Sequence, residues 1–279
     1  MLTKLIDHAI HILRKNEPPE GYMLCFSGGK DSIVCYQLLI LSGCKFSAHY
    51  NSTTFDQPEV LKYIKNLYPA VIWHYPTWKG KPTNFYKMII IKGLPSRKIR
   101  WCCQIFKEGF GNGRLLIDGI RSKESYNRSK RTKYEYFFNQ YYKTKNNKNP
   151  LDQAIIDKLY RLKKCKKIIH IIFDWSSSDV WDFIHLNDIE YCSLYDSGYS
   201  RIGCIGCPMS SNKSCINDFK RYPIIKANII KSISIRRNIR NDYPQFINAE
   251  DIFNWWISKK TVIAYFAERD QLDIWNNII

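Results

Sequence analysis

Short apolar runs recur along the chain at Tyr22–Phe26, Lys45–Tyr50, Ala70–Tyr75, Leu115–Gly119 and Ile168–Phe173. Helical patterns fall between several of them, notably Ser32–Leu41, Pro58–Leu67 and Asn84–Ile91. Strands alternating with helices predict crossover units and an α/β fold, a mostly parallel sheet with helices on both faces. Near the start, Leu2, Leu5, Ala9, Ile12 and Leu13 stand at helical spacing among Lys4, Asp7 and His8. That spacing predicts an amphipathic surface helix rather than a secretory apolar core.

Two segments break the rhythm. Residues 126–167 contain SKRTKYEYFFNQYYKTKNNKN and RLKKCKK, which are basic and aromatic. They predict an insertion over the sheet edge or a mobile loop. Beyond Pro208 the pattern turns helical and basic, in KRYPIIKANIIKSISIRRNIR, and then aromatic, in NWWISKKTVIAYF. The expected organisation is one α/β domain over 1–207, with the insertion at about 126–167, and a helical C-terminal subdomain over 208–279.

Composition narrows the function classes. A chain of 279 residues with 45% hydrophobic content can bury a full core. It has no apolar run long enough for a transmembrane helix, so a cytoplasmic protein without a membrane partner is expected. The net charge of +18 suggests an acidic partner, although Lys, Ile and Asn are frequent throughout. Ten cysteines in a reducing compartment point to metal rather than to a disulfide framework.

The chemistry begins at LCFSGGKDSIVC, residues 24–35. A strand, two glycines and a helix N-terminus make an anion site, because amide N–H groups and the helix dipole converge there. No G-x-x-x-x-G-K-[ST] string is present, so this is not a Walker A loop. The string resembles the PP-loop, S-G-G-x-D-S, of the adenine-nucleotide alpha hydrolases, in the form with Lys fourth that is common in their phosphoadenosine phosphosulfate (PAPS) reductase branch. On that resemblance Ser27, Gly28, Gly29, Lys30, Asp31 and Ser32 would hold the phosphates of ATP or a related adenine nucleotide, with Mg2+ as an accompanying ion.

Two cysteine pairs stand at Arg100-Trp101-Cys102-Cys103 and Gly203-Cys204-Ile205-Gly206-Cys207-Pro208. Their four thiolates suit zinc or an iron–sulfur cluster, and spacing leaves both open. The string CCQIFK resembles the C-C-x-x-R/K-K segment of sulfonucleotide reductases, with Lys107 at the final lysine and Phe106 departing from the pattern. Further on, DWSSSDVWDFIHLNDIEYCSLYDSGYSRIGCIGCPM resembles the W-x-x-x-D-V-W…Y-D-x-G-Y-x-x-I-G-C-x-x-C block of that family. The resemblance implies a [4Fe-4S] cluster on Cys102, Cys103, Cys204 and Cys207, with Cys192 and Cys215 as substitute ligands or three cysteines as the full set.

The string GIRSKESYNR, from Gly119 to Arg128, resembles G-x-R-x-x-E-S-x-x-R of the same superfamily. Arg121 and Arg128 would contact phosphate or sulfate oxygens, and Glu124 would orient an arginine. Asn51–Asp56 follows the second strand, where such folds place a ribose-binding group.

The resemblance covers about residues 20–210. The E-C-G-[IL]-H tail of assimilatory reductases does not occur in QLDIWNNII or before it, which turns the expectation toward ATP-dependent sulfur transfer to nucleic acid, tRNA or DNA. Lys30, Asp31, Lys107 and Arg121 would carry the catalysis, served by a sulfur or electron donor protein. Basic residues in 128–167 and 220–240 would face the nucleic acid, with Tyr and Phe of 134–142 stacking on bases. A sulfonucleotide reductase and a non-catalytic nucleotide-binding module are the alternatives.

Overall fold

The computed structural model describes residues 2–138 and 153–276. The chain runs through α1 (Leu2–Lys15), β1 (Tyr22–Cys25), α2 (Lys30–Ser42), β2 (Phe46–Asn51), α3 (Pro58–Leu67) and β3 (Ile72–His74). A small hairpin, β4 (Thr77–Trp78) and β5 (Lys81–Pro82), leads to α4 (Phe85–Lys92) and α5 (Trp101–Phe106). Next come β6 (Leu115–Asp118), a 3-10 turn at Ser122–Glu124, α6 (Tyr126–Ser129) and β7 (Tyr134–Phe138). Then follow α7 (Gln153–Arg161), β8 (Cys165–His170) and α8 (Ser177–Leu186). The C-terminal extension is helical: α9 (Asn212–Arg221), α10 (Pro223–Arg240), α11 (Ala249–Ser258) and α12 (Val262–Asn276).

The main sheet has the order β3-β2-β1-β6-β8-β7 and is parallel except for β7. This is the mostly parallel α/β fold that the alternating pattern predicts. Alternate residues of β1 explain its two faces. Tyr22 and Leu24 join Leu13, Leu38, Ile117, Ile169 and Phe183 in the larger core. Met23 meets Leu116 and Ile168 in a smaller cluster, against which Cys25, Phe110 and Phe137 pack.

Local signals set several helix ends. Pro58 opens α3, where its missing N–H goes unneeded. A capping box opens α8: Ser176 Oγ accepts from Asp179 N at 3.1 Å, and Asp179 Oδ2 accepts from Ser176 N at 2.7 Å. Asn84, just before α4, caps it by accepting from Lys87 N at 2.8 Å.

The basic segment after residue 126 differs from its expected place over the sheet edge or in a loop. Its YEYFF string is β7, the antiparallel edge strand, with Tyr134 opposite Ile169 and Phe138 opposite Cys165. The stacking candidates from residue 139 onward lie outside the described residues. Strand β8 also begins three residues before the expected Ile168, because Lys166 is a buried strand residue. Its Nζ donates to Glu108 O at 2.8 Å and to Phe110 O at 2.9 Å, which satisfies the ammonium away from water.

The described chain divides into two compact units. The first holds 1–52, 57–74 and 107–203, and so contains the main sheet. The second holds 53–56, 75–106 and 204–279. Its own core gathers Phe55, Phe85, Met88, Trp101, Phe219, Ile229 and Phe253, with Phe55 and Phe85 stacked at 4.1 Å. No helix among the described residues is long and apolar enough to cross a membrane.

Phe183 tests the first core. Its ring is wholly buried and meets Trp175 edge-on at 5.7 Å. Phe183→Ala is expected to lower unfolding stability by about 3–5 kcal/mol, read as a shifted urea midpoint with the sheet's circular dichroism retained.

Candidate functional site

The loop after β1 is built as its glycines require. Gly28 has φ +72°, and a Cβ there would come within 2.9 Å of the Ile64 side chain on α3. Ser32 Oγ accepts from Ser27 N at 3.2 Å and from Ser27 Oγ at 3.1 Å, and donates to Gly29 O at 2.8 Å. The Lys30 amide donates to Tyr195 Oη at 2.9 Å. Several loop groups are thus engaged inside the protein, where the sequence alone suggests N–H groups open to a ligand.

Lys30 is buried and tied to the segment Tyr195–Ser200. Its Nζ donates to Ser200 O at 3.0 Å and lies 5.3 Å from the Tyr195 ring centre. Burial pulls its ammonium below the ordinary lysine pKa; Asp31 opposes this, while Arg121 and Arg201 reinforce it.

The loop after β6 comes close to the first turn of α2. A Cβ on Gly119 would sit 2.9 Å from the backbone carbonyl of Asp31, so only glycine fits. Arg121 Nε donates to Asp31 Oδ1 at 2.7 Å, with side chains 5% and 22% exposed respectively. Glu124 pairs with Arg128, and its other oxygen is 4.0 Å from Arg121. The Arg128 guanidinium is held below the ordinary arginine value, first by burial and then by the charge of Arg201.

Lys30, Arg121, Lys123, Arg128 and Arg201 line one cleft of about 310 Å³ with Glu124, Ser125, Ser177 and Ser200. Five cations face a single lining carboxylate, with Asp31 behind them. Of the PP-loop side chains only Lys30 lines this cleft. Lys107 is exposed and is not among its lining residues.

A buried network backs the cleft. Asp118, at the end of β6, accepts from His170 Nδ1 and, at 3.2 Å, from Ile120 N. His170 is fully buried, its Nε2 lies 3.5 Å from Glu135, and Glu135 in turn accepts from Arg131 Nε at 2.9 Å. Sequence reasoning passed over Asp118, His170, Tyr195 and Arg201. The signal for three of them was present, since Asp118 adjoins Gly119, and Tyr195 and Arg201 open and close the family-like YDSGYSR string.

The four paired cysteines belong to the second unit. Asp56 and Cys204 form an antiparallel bridge, and Ile205 N donates to Phe55 O at 2.9 Å. The stretch Thr53–Asp56, expected near a ribose, therefore backs the cysteine segment. Both Asp56 oxygens are taken by Thr53, through its amide and its hydroxyl, at 2.7 Å each.

The Cys102 thiol is pushed well above its ordinary pKa by a hydrogen bond with Cys103, then by burial, then by the charges of Cys103, Cys204 and Cys207. These four sulfurs thus share one neighbourhood in which added negative charge is resisted. A bound cationic centre would relieve that resistance, and the donor set is the soft sulfur chemistry that zinc and iron–sulfur clusters use. Among the described residues no group of three or more His, Cys, Asp or Glu is arranged to hold a single metal ion. Arg100 donates to Cys103 Sγ at 3.2 Å. Cys215 is buried with its Sγ 3.5 Å from Cys207 O, whereas Cys192 lies in the core of the first unit.

Residues 21–210 match the phosphoadenosine phosphosulfate reductase domain. The chain belongs to that family. An uncharacterized protein of Methanocaldococcus jannaschii, MJ0973, is 30% identical over 205 residues, 71% of this chain and 44% of that protein. This PAPS reductase family chain therefore spans less than half the length of that relative. An adenosine 5'-phosphosulfate reductase of Oceanobacillus iheyensis is 30% identical over 111 residues, 38% of this chain and 36% of that one. A probable FAD synthase of Schizosaccharomyces pombe is 26% identical over 239 residues, 84% of this chain and 77% of that one.

The Asp31–Arg121 pair gives a direct test of the cleft. Asp31→Asn leaves a nearly buried guanidinium without its carboxylate, and the loss is expected to be about 2–3 kcal/mol, below that of a wholly buried pair. Inorganic pyrophosphate should narrow the gap in melting temperature between variant and wild type. An unchanged gap counts against anion binding beside Arg121.

Proposed function

We propose that this protein binds ATP at the PP-loop and uses it to activate an oxygen of a nucleic acid for replacement by sulfur. The observation that carries the reading is the cleft at Lys30, where five cations stand together with too few carboxylates to balance them. Such a site gains most from a ligand with several negative charges, and a triphosphate supplies them.

In this reading the acceptor oxygen attacks the α-phosphorus, the bond to pyrophosphate breaks, and an adenylated acceptor forms. Lys30, Arg121, Arg128 and Arg201 neutralise the charge growing on the departing pyrophosphate. Glu124 fixes the Arg128 fork, and Asp31 fixes Arg121. Sulfide-level sulfur from a donor protein then attacks the atom that carries the adenylated oxygen, and AMP leaves with that oxygen. Lys107, matched to the family's lysine, acts on the acceptor side, and Mg2+ accompanies the phosphates.

Cys102, Cys103, Cys204 and Cys207 would hold a [4Fe-4S] cluster, which when bound would supply sulfur-holding or electron-passing chemistry. The net charge of +18 favours a polyanionic acceptor. The relation to a probable FAD synthase over 84% of the chain favours adenine-nucleotide chemistry. The relation to an adenosine 5'-phosphosulfate reductase supports the second reading, in which the same cations take a sulfonucleotide. A nucleotide-binding module without catalysis is the third.

Calorimetry with ATP, AMP, adenosine phosphosulfate and PAPS separates the first two readings. ATP is expected to bind most tightly, and Arg128→Ala to weaken it about tenfold or more, the worth of one charged hydrogen bond. Preference for a sulfonucleotide would hand the site to the reductase reading, and no binding by any of the four would end both.

For the cysteines, anaerobically prepared protein is expected to be brown and to contain iron and acid-labile sulfide. Cys204→Ser or Cys207→Ser should abolish both. Colourless protein carrying stoichiometric zinc would overturn the cluster.

A further inference from the structure

A second cleft, of about 420 Å³, lies between α1 and the start of β7 in the first unit. Its polar lining is His8, His11 and Lys15 from the helix, Asn16 just after it, and Lys133 and Tyr134 from the strand side. Helix α1 turns Ala9, Ile12 and Leu13 into the core, which leaves His8, His11 and Lys15 on its exposed side at spacings of one turn. Opposite them, Tyr134 opens the edge strand and is 50% exposed.

The wall of this groove is held in place. Lys133 Nζ lies 3.3 Å from His8 Nε2 and 2.7 Å from an Asp174 carboxylate oxygen. The same stretch reaches the cleft at Lys30, because Phe173 O accepts from both Ser122 N, at 2.8 Å, and Ser122 Oγ, at 3.0 Å. Ser122 precedes Lys123, which lines that cleft. Just beyond stands Tyr126, 74% exposed, with Lys130 Nζ 4.0 Å from its ring centre.

An exposed aromatic ring flanked by cations is poorly suited to a simple anion, which has no use for the ring. It is equally poorly suited to an apolar ligand, which has no use for the cations. A single nucleic-acid strand uses both, laying a base on the ring and its phosphates against the cations. The groove also has the volume of a pocket for one small ligand, roughly 300–1,000 Å³. A duplex keeps its bases stacked on each other and offers no face to Tyr134.

We propose that the groove between α1 and β7 seats an unpaired nucleic-acid strand, with a base on Tyr134 and phosphates on Lys15 and Lys133, leading past Tyr126 toward the cleft at Lys30. This deepens the nucleic-acid reading above and rests on it. Asp174 belongs to the site as the anchor of Lys133.

Fluorescence anisotropy with short labelled single strands of RNA and DNA, and with the same sequences as duplexes, tests it across a salt series. Single strands are expected to bind more tightly than duplexes. Tyr134→Ala should weaken them about tenfold, and Tyr134→Phe should bind as wild type does. Lys15→Gln, on an exposed helix face, should lower affinity and reduce the salt slope by about one. Equal binding of strands and duplexes, or Tyr134→Ala and Lys15→Gln binding like wild type, overturns the groove. ATP calorimetry on the same variants should be unchanged. Loss of ATP binding in wild type with the strand effects intact would end the ATP reading and leave the groove standing.

Discussion

The pairing of β1 with β6 is the contact on which the cationic cleft of this protein depends. From β1 the sheet extends outward through β2 to β3, and from β6 outward through β8 to β7. The direction of progression therefore reverses between them, which opens a crevice beyond their carboxyl ends. The SGGKDS loop leaves one of these strands and the GIRSKES segment leaves the other. Their approach is so close at Gly119 and Asp31 that a methyl group would not fit. Strand pairing thus sets the geometry, and the side chains inherit it.

Two clusters in the chain are electrostatically incomplete in opposite senses. Around Lys30 and Arg128, burial lowers the cations' proton affinity and the charge of Arg201 lowers it further, while Asp31 opposes both effects. Around Cys102, neighbouring thiols resist the loss of a further proton. Folding for stability alone would disperse both sets to the surface. Departures of this kind from local consistency concentrate at functional sites, where a ligand completes the balance.

Much of this was readable from the chain. The SGGKDS loop, the bounds of α3 and the Glu124–Arg128 pair, four residues apart, depend on neighbours in sequence. The edge strand Tyr134–Phe138 did not declare itself, because nothing local to YEYFF fixes its partner; only pairing with β8 does. Lys166 stands in the basic RLKKCKK string and not in an apolar run, and the carbonyls of Glu108 and Phe110 that satisfy it lie more than fifty residues away. His170 and Asp118 are likewise joined by strand register, Asp118 opposite His170, and not by any motif.

Tyr195 carries a consequence for how the loop meets its ligand. Its hydroxyl holds the Lys30 amide from 165 residues away, while its ring packs edge-on against Trp181 at 5.1 Å. The start of α2 is therefore tied down by the protein's own contacts. The entropy of ordering it is spent during folding, so any ligand of the cleft beside Lys30 would lose little affinity to ordering of this turn. Residue 195 thereby becomes part of the cleft's thermodynamics although it is not among the residues that line the cleft.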